Sequence, residues 1–541
     1  MVVPMKDPRA AAAESAWQDL FSSGSEHRVK WDKISKLIRP TRSGIMSGDP
    51  SLQRSELPLS SGAIIAANNH SAALYGTLTN QANKWFGMGS SDDDLNSFQP
   101  VKEWHDIVGK IILNSFSPTV STFYSSAAQF YGDISAFGNA GQGAELNLRE
   151  RRITDQTISL AEICYAIDGD GRVIETIRKF RWSAVQAAFK FGIDALPEKM
   201  RELALAGSRQ KFVLYHHVYK NRDWIKGRLG PTGKQWHSIY TAEEGGAVLS
   251  HKGFNDMPFL AGRWHVDTGE TYGDGPGWLA LPSAVKMELM EGAIMRAGQR
   301  AADPTMLAPD RDVWTLNGAA RPGGVVYGGV DVIGRQMLRQ LDTFSGTGIT
   351  LEMQDRSLAH VNDAFHANLL NLVGRTGVTP IEVIDQQEQR LRMMAPQLGR
   401  IQEEYLAPKI GQRFTMLWNA GQIPPPPPEA RGSDLVAKYT SAAAMAAKSA
   451  EGAAVARLIQ DVTPLGGAKP RLMDRLSEDD LVEILADARG VPARALRSRE
   501  EADEIGKGRA EQQQSQELMQ AMQAGGGVAR DLAAAQAAGS T

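Results

Sequence analysis

Between Thr350 and Trp418 the apolar positions fall into two long helical stretches separated by a glycine-rich break. In the first, Leu351, Leu358, Val361, Phe365, Leu369 and Leu372 recur at spacings of three, four and seven, which puts them on one helix face. The ladder stops at Val373-Gly374-Arg375-Thr376-Gly377-Val378-Thr379-Pro380, whose two glycines and proline read as a loop. The second stretch covers 381–418. Two long helices with a short polar tip can push a loop into a confined space.

The same periodicity predicts helices over 11–21 and 26–38, the latter with Trp31, Ile34 and Ile38 on one face and Arg39-Pro40 as its terminator. A helical pattern over 63–86 carries Ile64, Ala67, Ser71, Leu74 and Leu78 and finishes in Trp85-Phe86. Helices over 101–116 and 120–138 follow. The pattern then changes. Segments 153–165, 173–182, 211–219, 235–241 and 247–251 are rich in β-branched and aromatic residues with turn signals between them, and read as strands. Helices at 184–191 and 197–205 interrupt the series, giving an α+β region.

Glycines crowd Gly269-Glu270-Thr271-Tyr272-Gly273-Asp274-Gly275-Pro276-Gly277, which marks a tight backbone path. A helix over 283–302 is expected to start after Pro282. Its small residues Gly292, Ala293, Ala297, Gly298, Ala301 and Ala302 permit close approach of another helix. Residues 305–348 read as short strands in a small insert. Helices 283–302 and 351–373 should then form an antiparallel pair, with the insert at one end and the glycine loop at the other. Pro424 to Pro428 is a stiff spacer. Beyond it, helices are expected over 435–461 and 478–488. The charged, Gln-rich 499–523 would need partner helices to be stable.

At 541 residues the chain should hold several domains, and 42% hydrophobic with 22% charged residues suits a folded soluble protein. A net charge of −3 argues against gripping nucleic acid by a basic field, though not against letting DNA pass. The single cysteine, Cys164, excludes an internal disulfide or a cysteine zinc site and reads as core. Neither a signal peptide nor a membrane-length apolar run is evident, so no membrane role is expected.

No catalytic constellation emerges. Asp168-Gly169-Asp170-Gly171 opens like a calcium loop but lacks the later ligands, and reads as a hairpin turn. Asp92-Asp93-Asp94 reads as a turn or helix cap. Gly230-Pro231-Thr232-Gly233-Lys234-Gln235 is out of register for a phosphate loop, and Gln235 stands where a magnesium-holding hydroxyl belongs. His216 and His217 point to opposite faces of a strand, and His360 and His366 to different directions on a helix. Glu403-Glu404 is ordinary helix surface. Neither an enzyme activity, a metal nor a cofactor is expected.

Three segments carry a specific resemblance. The first is an N-terminal helix ending in Leu37-Ile38-Arg39-Pro40, with the following helix closing on Trp85-Phe86. The second runs from Pro258-Phe259 through Arg263-Trp264 to Gly277. The third joins Arg375-Thr376-Gly377-Val378-Thr379-Pro380-Ile381-Glu382-Val383, then 398–408, then Ala420-Gly421-Gln422-Ile423-Pro424-Pro425. On these the chain resembles the head-to-tail connector (portal) proteins of short-tailed bacteriophages, over nearly its whole length.

The resemblance implies a mainly α fold with an α+β wing, in a subunit of wing, two-helix stem, clip, crown and helical barrel that closes a ring around a central channel. The expected parts are wing 1–282, stem helices 283–302 and 349–373, clip 303–348, tunnel loop 374–380, wing helix and proline linker 381–430, crown 431–498 and barrel 499–541. It implies a homo-oligomer, usually of twelve copies, at one capsid vertex. Double-stranded DNA enters and leaves through it. The implied partners are the terminase large subunit, tail or adaptor proteins, major capsid and scaffolding proteins, and internal core proteins at the barrel.

Gly374, Arg375, Thr376, Gly377, Val378 and Thr379 would line the channel. Arg375 reads equally as a phosphate-facing cation or as a helix-end charge or inter-subunit ion pair. Arg311, Trp314, Arg321, Arg335 and Arg339 would belong to the clip, the surface for terminase and tail. Trp314 reads either as an anchor there or as clip core, and Arg335 with Arg339 as an interface or a solvated helix face. A non-channel virion structural or scaffold protein is the alternative, and an enzyme the third reading.

Overall fold

The computed structural model describes residues 6–50, 56–147, 150, 152–225, 227–302, 306–307, 330–336, 339–340, 347–367, 394–432, 434–439, 452–462, 476–488, 491, 495–497, 501–509 and 511–516. They divide into two compact units, Met1–Asn83 with Asn114–Ala420, and Lys84–Leu113 with Gly421–Thr541.

In chain order, α1 (Pro8–Ser23) starts on a proline behind Asp7, whose carboxylate accepts the Arg9 N–H. Then come α2 (Ser25–Leu37), α3 (Gly62–Leu78), β1 (Phe86–Ser90) and α4 (Asp93–Ser97). Asp92 caps α4 by accepting from the Asp94 N–H, which is the role of the acidic run. Next are α5 (Gln99–Ser115) and α6 (Phe123–Phe137), the latter closed by a left-handed Gly138. The strands β2 (Asn139–Asn147), β3 (Arg152–Ile158), β4 (Ile163–Ile167) and β5 (Val173–Ser183) lead into α7 (Ala184–Phe191) and α8 (Glu198–Leu205). A capping box between Ser183 and Gln186 starts α7. The series ends with β6 (Lys211–Lys220), β7 (Trp236–Ala242), β8 (Ala247–Phe254) and β9 (Phe259–Arg263). After it come α9 (Pro276–Ala302), β10 (Met306–Leu307), β11 (Arg339–Gln340), α10 (Thr347–Ala364), α11 (Ala407–Asn419), β12 (Leu435–Tyr439) and α12 (Glu478–Ala488).

In the larger unit β4-β5-β6-β7-β8 form an antiparallel sheet, and β3-β2-β9 a second one. The predicted strands correspond closely to β5 through β8. The predicted strand 153–165 is two strands in different sheets, broken by a turn in which Glu162 N–H donates to the Ser159 carbonyl. At Asp168 to Gly171 the hairpin turn forms as expected, with the Asp168 carboxylate accepting from the Asp170 and Arg172 amides. The main core gathers Trp31, Ile34 and Ile38 of α2 and its C-terminal neighbour with Ala136, Phe137, Leu281, Met287, Val361 and Phe365. Cys164 is buried, as expected. Arg28 is buried beside it, donating to its sulfur at 3.0 Å and lying over the Phe21 ring. Burial pushes the Cys164 thiol up to about 11.

Four predicted boundaries are corrected. α3 ends at Leu78, because the Asn80 side chain and carbonyl turn the chain by accepting from the Ala82 and Asn83 amides. Trp85-Phe86 therefore opens onto a strand rather than closing a helix. α9 starts at Pro276 and carries Pro282 inside it; the extra turns bury Ala280 and Leu281, which offsets the lost hydrogen bond. α10 ends at Ala364, where His366 takes a positive φ of 53°. Finally, 435–439 is a strand, its Leu-Val-Ala-Lys-Tyr sequence paired with β1, and helix is described only from 452.

In the smaller unit β1 and β12 pair antiparallel, Phe86 opposite Tyr439 and Ser90 opposite Leu435. Trp104 Nε1 donates to the Pro424 carbonyl at 3.0 Å and so holds the start of the proline run.

Candidate subunit interface

α9 and α10 run antiparallel side by side. Gln354 Nε2 donates to Glu291 Oε2 at 2.6 Å, while Met287 and Leu358 converge on Gly62. As the numbers fall on α9 they rise on α10. The convergence requires a glycine, since a Cβ at Gly62 would lie 2.7 Å from Met287 Cε and 2.9 Å from Leu358 Cδ1. Close approach was expected at the small residues of α9. Gly62, at the start of α3, is where this structure uses it.

α9 is apolar on two sides. Ala280, Leu281, Ala284 and Met287 face the core. The opposite side carries Leu279, Val285 and Leu289, and Leu279 and Leu289 are 70% and 67% exposed. At 100° per residue those three lie roughly opposite the buried four. On α10 exposure changes along the helix. Val361 and Phe365 are buried, whereas Leu351 and Met353, nearer the insert, are half exposed. Residues Leu369 and Leu372 of the predicted ladder lie outside the described residues. Among the described residues α9 thus leaves an apolar strip exposed on its outer side.

Behind the pair, the distinctive motifs lock together. Asn139 Nδ2 donates to the Gly273 carbonyl at 2.5 Å, and its Oδ1 accepts the Gly273 N–H at 2.8 Å. A Cβ at Gly277 would collide with the Ala136 carbonyl, and one at Gly275 with the Gly138 backbone. The glycine density thus seats the start of α9 against the end of α6. Arg263 of β9 forks onto Glu404, with Nη2 to Oε1 at 2.7 Å and Nε to Oε2 at 3.1 Å. Glu404 lies in a π-helical turn, Gln402–Leu406, that precedes α11. Pro408 offers no N–H to the Glu404 carbonyl, and the widened turn lets Ala407 N–H bond Gln402 instead. Glu404, read as ordinary helix surface, is therefore a structural acid.

A second buried charge group lies one turn on. Asp155 of β3 contacts Lys409 Nζ at 2.6 Å and Arg413 Nη2, with all three side chains fully buried. Ser121 Oγ donates to Asp155 at 2.7 Å. Burial pushes Lys409 down to about 8, against the pull of Asp155. Lys409 and Arg413 are four apart on one helix face, which the sequence displays; nothing in it announces that the face is buried.

The predicted site residues are only partly placed. Gly374, Arg375, Thr376, Gly377, Val378 and Thr379 lie outside the described residues, as do Arg311, Trp314 and Arg321. Arg335 is exposed in a turn where its carbonyl accepts the Asp331 N–H at 2.8 Å. Arg339 is in β11, paired with Leu307. The two arginines therefore do not share a helix face. His216 and His217 point apart as predicted, His216 stacking on Tyr240 and His217 bonding Glu175. Among the described residues no cluster of three His, Cys, Asp or Glu could hold a metal, and no helix is long and apolar enough to cross a membrane.

A profile of the family described as bacteriophage head to tail connecting protein matches residues 10–496. The chain is 25% identical over 520 residues to the portal protein of Salmonella phage epsilon15, spanning 94% of this chain and 92% of that one. It is 25% identical over 539 residues to a probable portal protein of Bordetella phage BPP-1, spanning 96% and 94%. Among solved structures, a chain from the neck of an empty GTA particle computed with C6 symmetry overlaps 79% of this chain and 90% of its own length, at 11% identity. Its TM-score of 0.36 is too low to build on.

Proposed function

The chain belongs to the bacteriophage head to tail connecting protein family, and from that premise we propose that its copies close into a ring through the outer faces of α9 and α10. It is a phage portal subunit, a virion protein at the head–tail junction. The observation that carries the ring is the second apolar side of α9, which a lone subunit leaves in water. Burying it against a neighbour stabilises each contact by roughly 25 cal/mol per Å² of apolar surface.

In this reading α9 and α10 are the stem, 303–348 the clip and 374–380 the tunnel loop reaching the DNA path. Residues 381–430 supply the wing helix and linker, and 431–541 the crown and barrel. Twelve copies would repeat Arg375 as a ring of cations around the duplex. A conduit must touch DNA without holding it, since each firm phosphate contact adds affinity and salt dependence. A chain of net charge −3 fits that requirement. The clip would dock the terminase large subunit during packaging and tail or adaptor proteins afterwards. Capsid and scaffolding proteins would surround the wing, with internal core proteins at the barrel. No catalytic step is assigned to the chain. Sedimentation tests the interface: Leu289→Asp should leave a folded subunit that no longer forms the large oligomer. An unchanged oligomer would remove α9 from the contact.

A further inference from the structure

α1 lies along the five-stranded sheet, and its two ends are held by different chemistry. Ala13 and Trp17 pack on Cys164, Ile177 and Tyr215. The first turn stands instead over imidazoles. Cross-strand pairs Tyr219–His237, His217–Ile239 and Ile239–His251 put these side chains on one face of β6, β7 and β8. Ile177, opposite His217, shows that this is the face α1 covers. The rings of His217, Tyr219, His237 and His251 form a row with successive centroids 4.7, 5.3 and 5.1 Å apart. His237 Nδ1 lies 3.0 Å from His251 Nε2, a separation that requires one shared hydrogen. His217, Tyr219 and His237 of this row line a cavity of about 840 Å³ together with Pro8, Arg9 and Ala12.

The charged groups around the pair come from every neighbouring element. Arg9, itself paired with Asp7, faces it from α1. β5 supplies Glu175, bonded to His217 at 2.6 Å, and β6 supplies Lys220. The following turn adds Arg222 and Asp223. At the start of α1 the chain is tied by Asp7 N–H donating to the Gly246 carbonyl and by the Lys6–Glu14 ion pair, with Glu243 acting on Lys6.

We propose that the His237–His251 pair makes the docking of the first turn of α1 acid-sensitive: protonating both rings sets two cations against each other beneath Arg9 and releases 6–12, while 13–23 stays packed. Burial holds both imidazoles below the usual histidine value. His237 and then Arg9 lower His251 further, while Asp223 opposes the shift at His237. A released imidazole binds its proton near pH 6.5, the docked ones only lower. Docking is therefore fully favoured above about pH 6.5 and weakens as the pH falls below it. Between pH 7.5 and 5.0 the released state gains at most about thirtyfold for each imidazole set free.

Hydrogen exchange on the intact protein tests this, with rates corrected for the chemical effect of pH. Amides of 8–12 should open more than about threefold faster at pH 5.0 than at pH 7.5, with those of 17–23 unchanged. His237→Gln and His251→Gln each remove the two-cation state while keeping a hydrogen-bonding side chain, and should each flatten the response to under about threefold. A wild type without the response overturns the proposal. So does a response that survives in both variants, or one that extends equally over 17–23.

Discussion

Replacing Asp155 by alanine leaves Lys409 and Arg413 as two cations without their anion, in a site where all three side chains are 0% exposed. Breaking a buried pair by removing one partner costs about 3–5 kcal/mol. Here one carboxylate serves two cations, so the upper end of that range is expected. Lys409→Met acts in the opposite sense. It removes the surplus cation and leaves Arg413 matched to Asp155, so its effect should stay within about 1 kcal/mol. Urea unfolding followed by tryptophan fluorescence compares the two variants at pH 7. A pH series adds a signature specific to Lys409. The folded chain loses this proton near 8, whereas an unfolded lysine keeps it to about 10.4. Unfolded chains then bind more protons between those values, so wild-type stability gains as much as about 3 kcal/mol from this group as the pH rises across the window. Lys409→Met should lack that gain. Equal losses in the two variants at pH 7 would refute the reasoning that this site holds one cation too many.

Other positions respond in ways the geometry sets. Gly277→Ala drives a Cβ into the Ala136 carbonyl and should cost about 2 kcal/mol or more, whereas Gly298→Ala, with open space around it, should raise the melting temperature. Arg263→Lys loses the fork onto Glu404 and should cost about 2 kcal/mol in chemical denaturation; loss of much less would mean the pair is replaceable by a point charge. Arg375→Ala should keep the oligomer intact and change DNA packaging or retention, read by packaged genome per particle. Loss of assembly would assign Arg375 to a subunit contact instead.

Periodicity revealed most of the fold where one face is buried and the other is wet. Trp31, Ile34 and Ile38 announce α2 and the turn after it, and the β-branched runs announce β5 through β8. It failed where burial is decided by distant partners. β2 has a glycine- and asparagine-rich sequence of low strand propensity, yet it is central because β3 and β9 flank it. β1 and β12 are 345 or more residues apart and become strands by pairing with each other. The proposed interface was half legible. The small residues of α9 imply close packing, while Leu279, Val285 and Leu289 carry the sharper signal, apolar positions on the side facing away from the core. Glu404 looked like surface because adjacent carboxylates such as Glu403-Glu404 are common on exposed helix faces. Only the π-helical turn before Pro408 shows it reaching Arg263.

Electron micrographs of the purified protein decide whether its copies form a ring. Closed rings with a central hole wide enough for a DNA duplex are expected, with α9 and α10 lining the narrow stem. Sheets, filaments or a stable monomer would contradict that expectation.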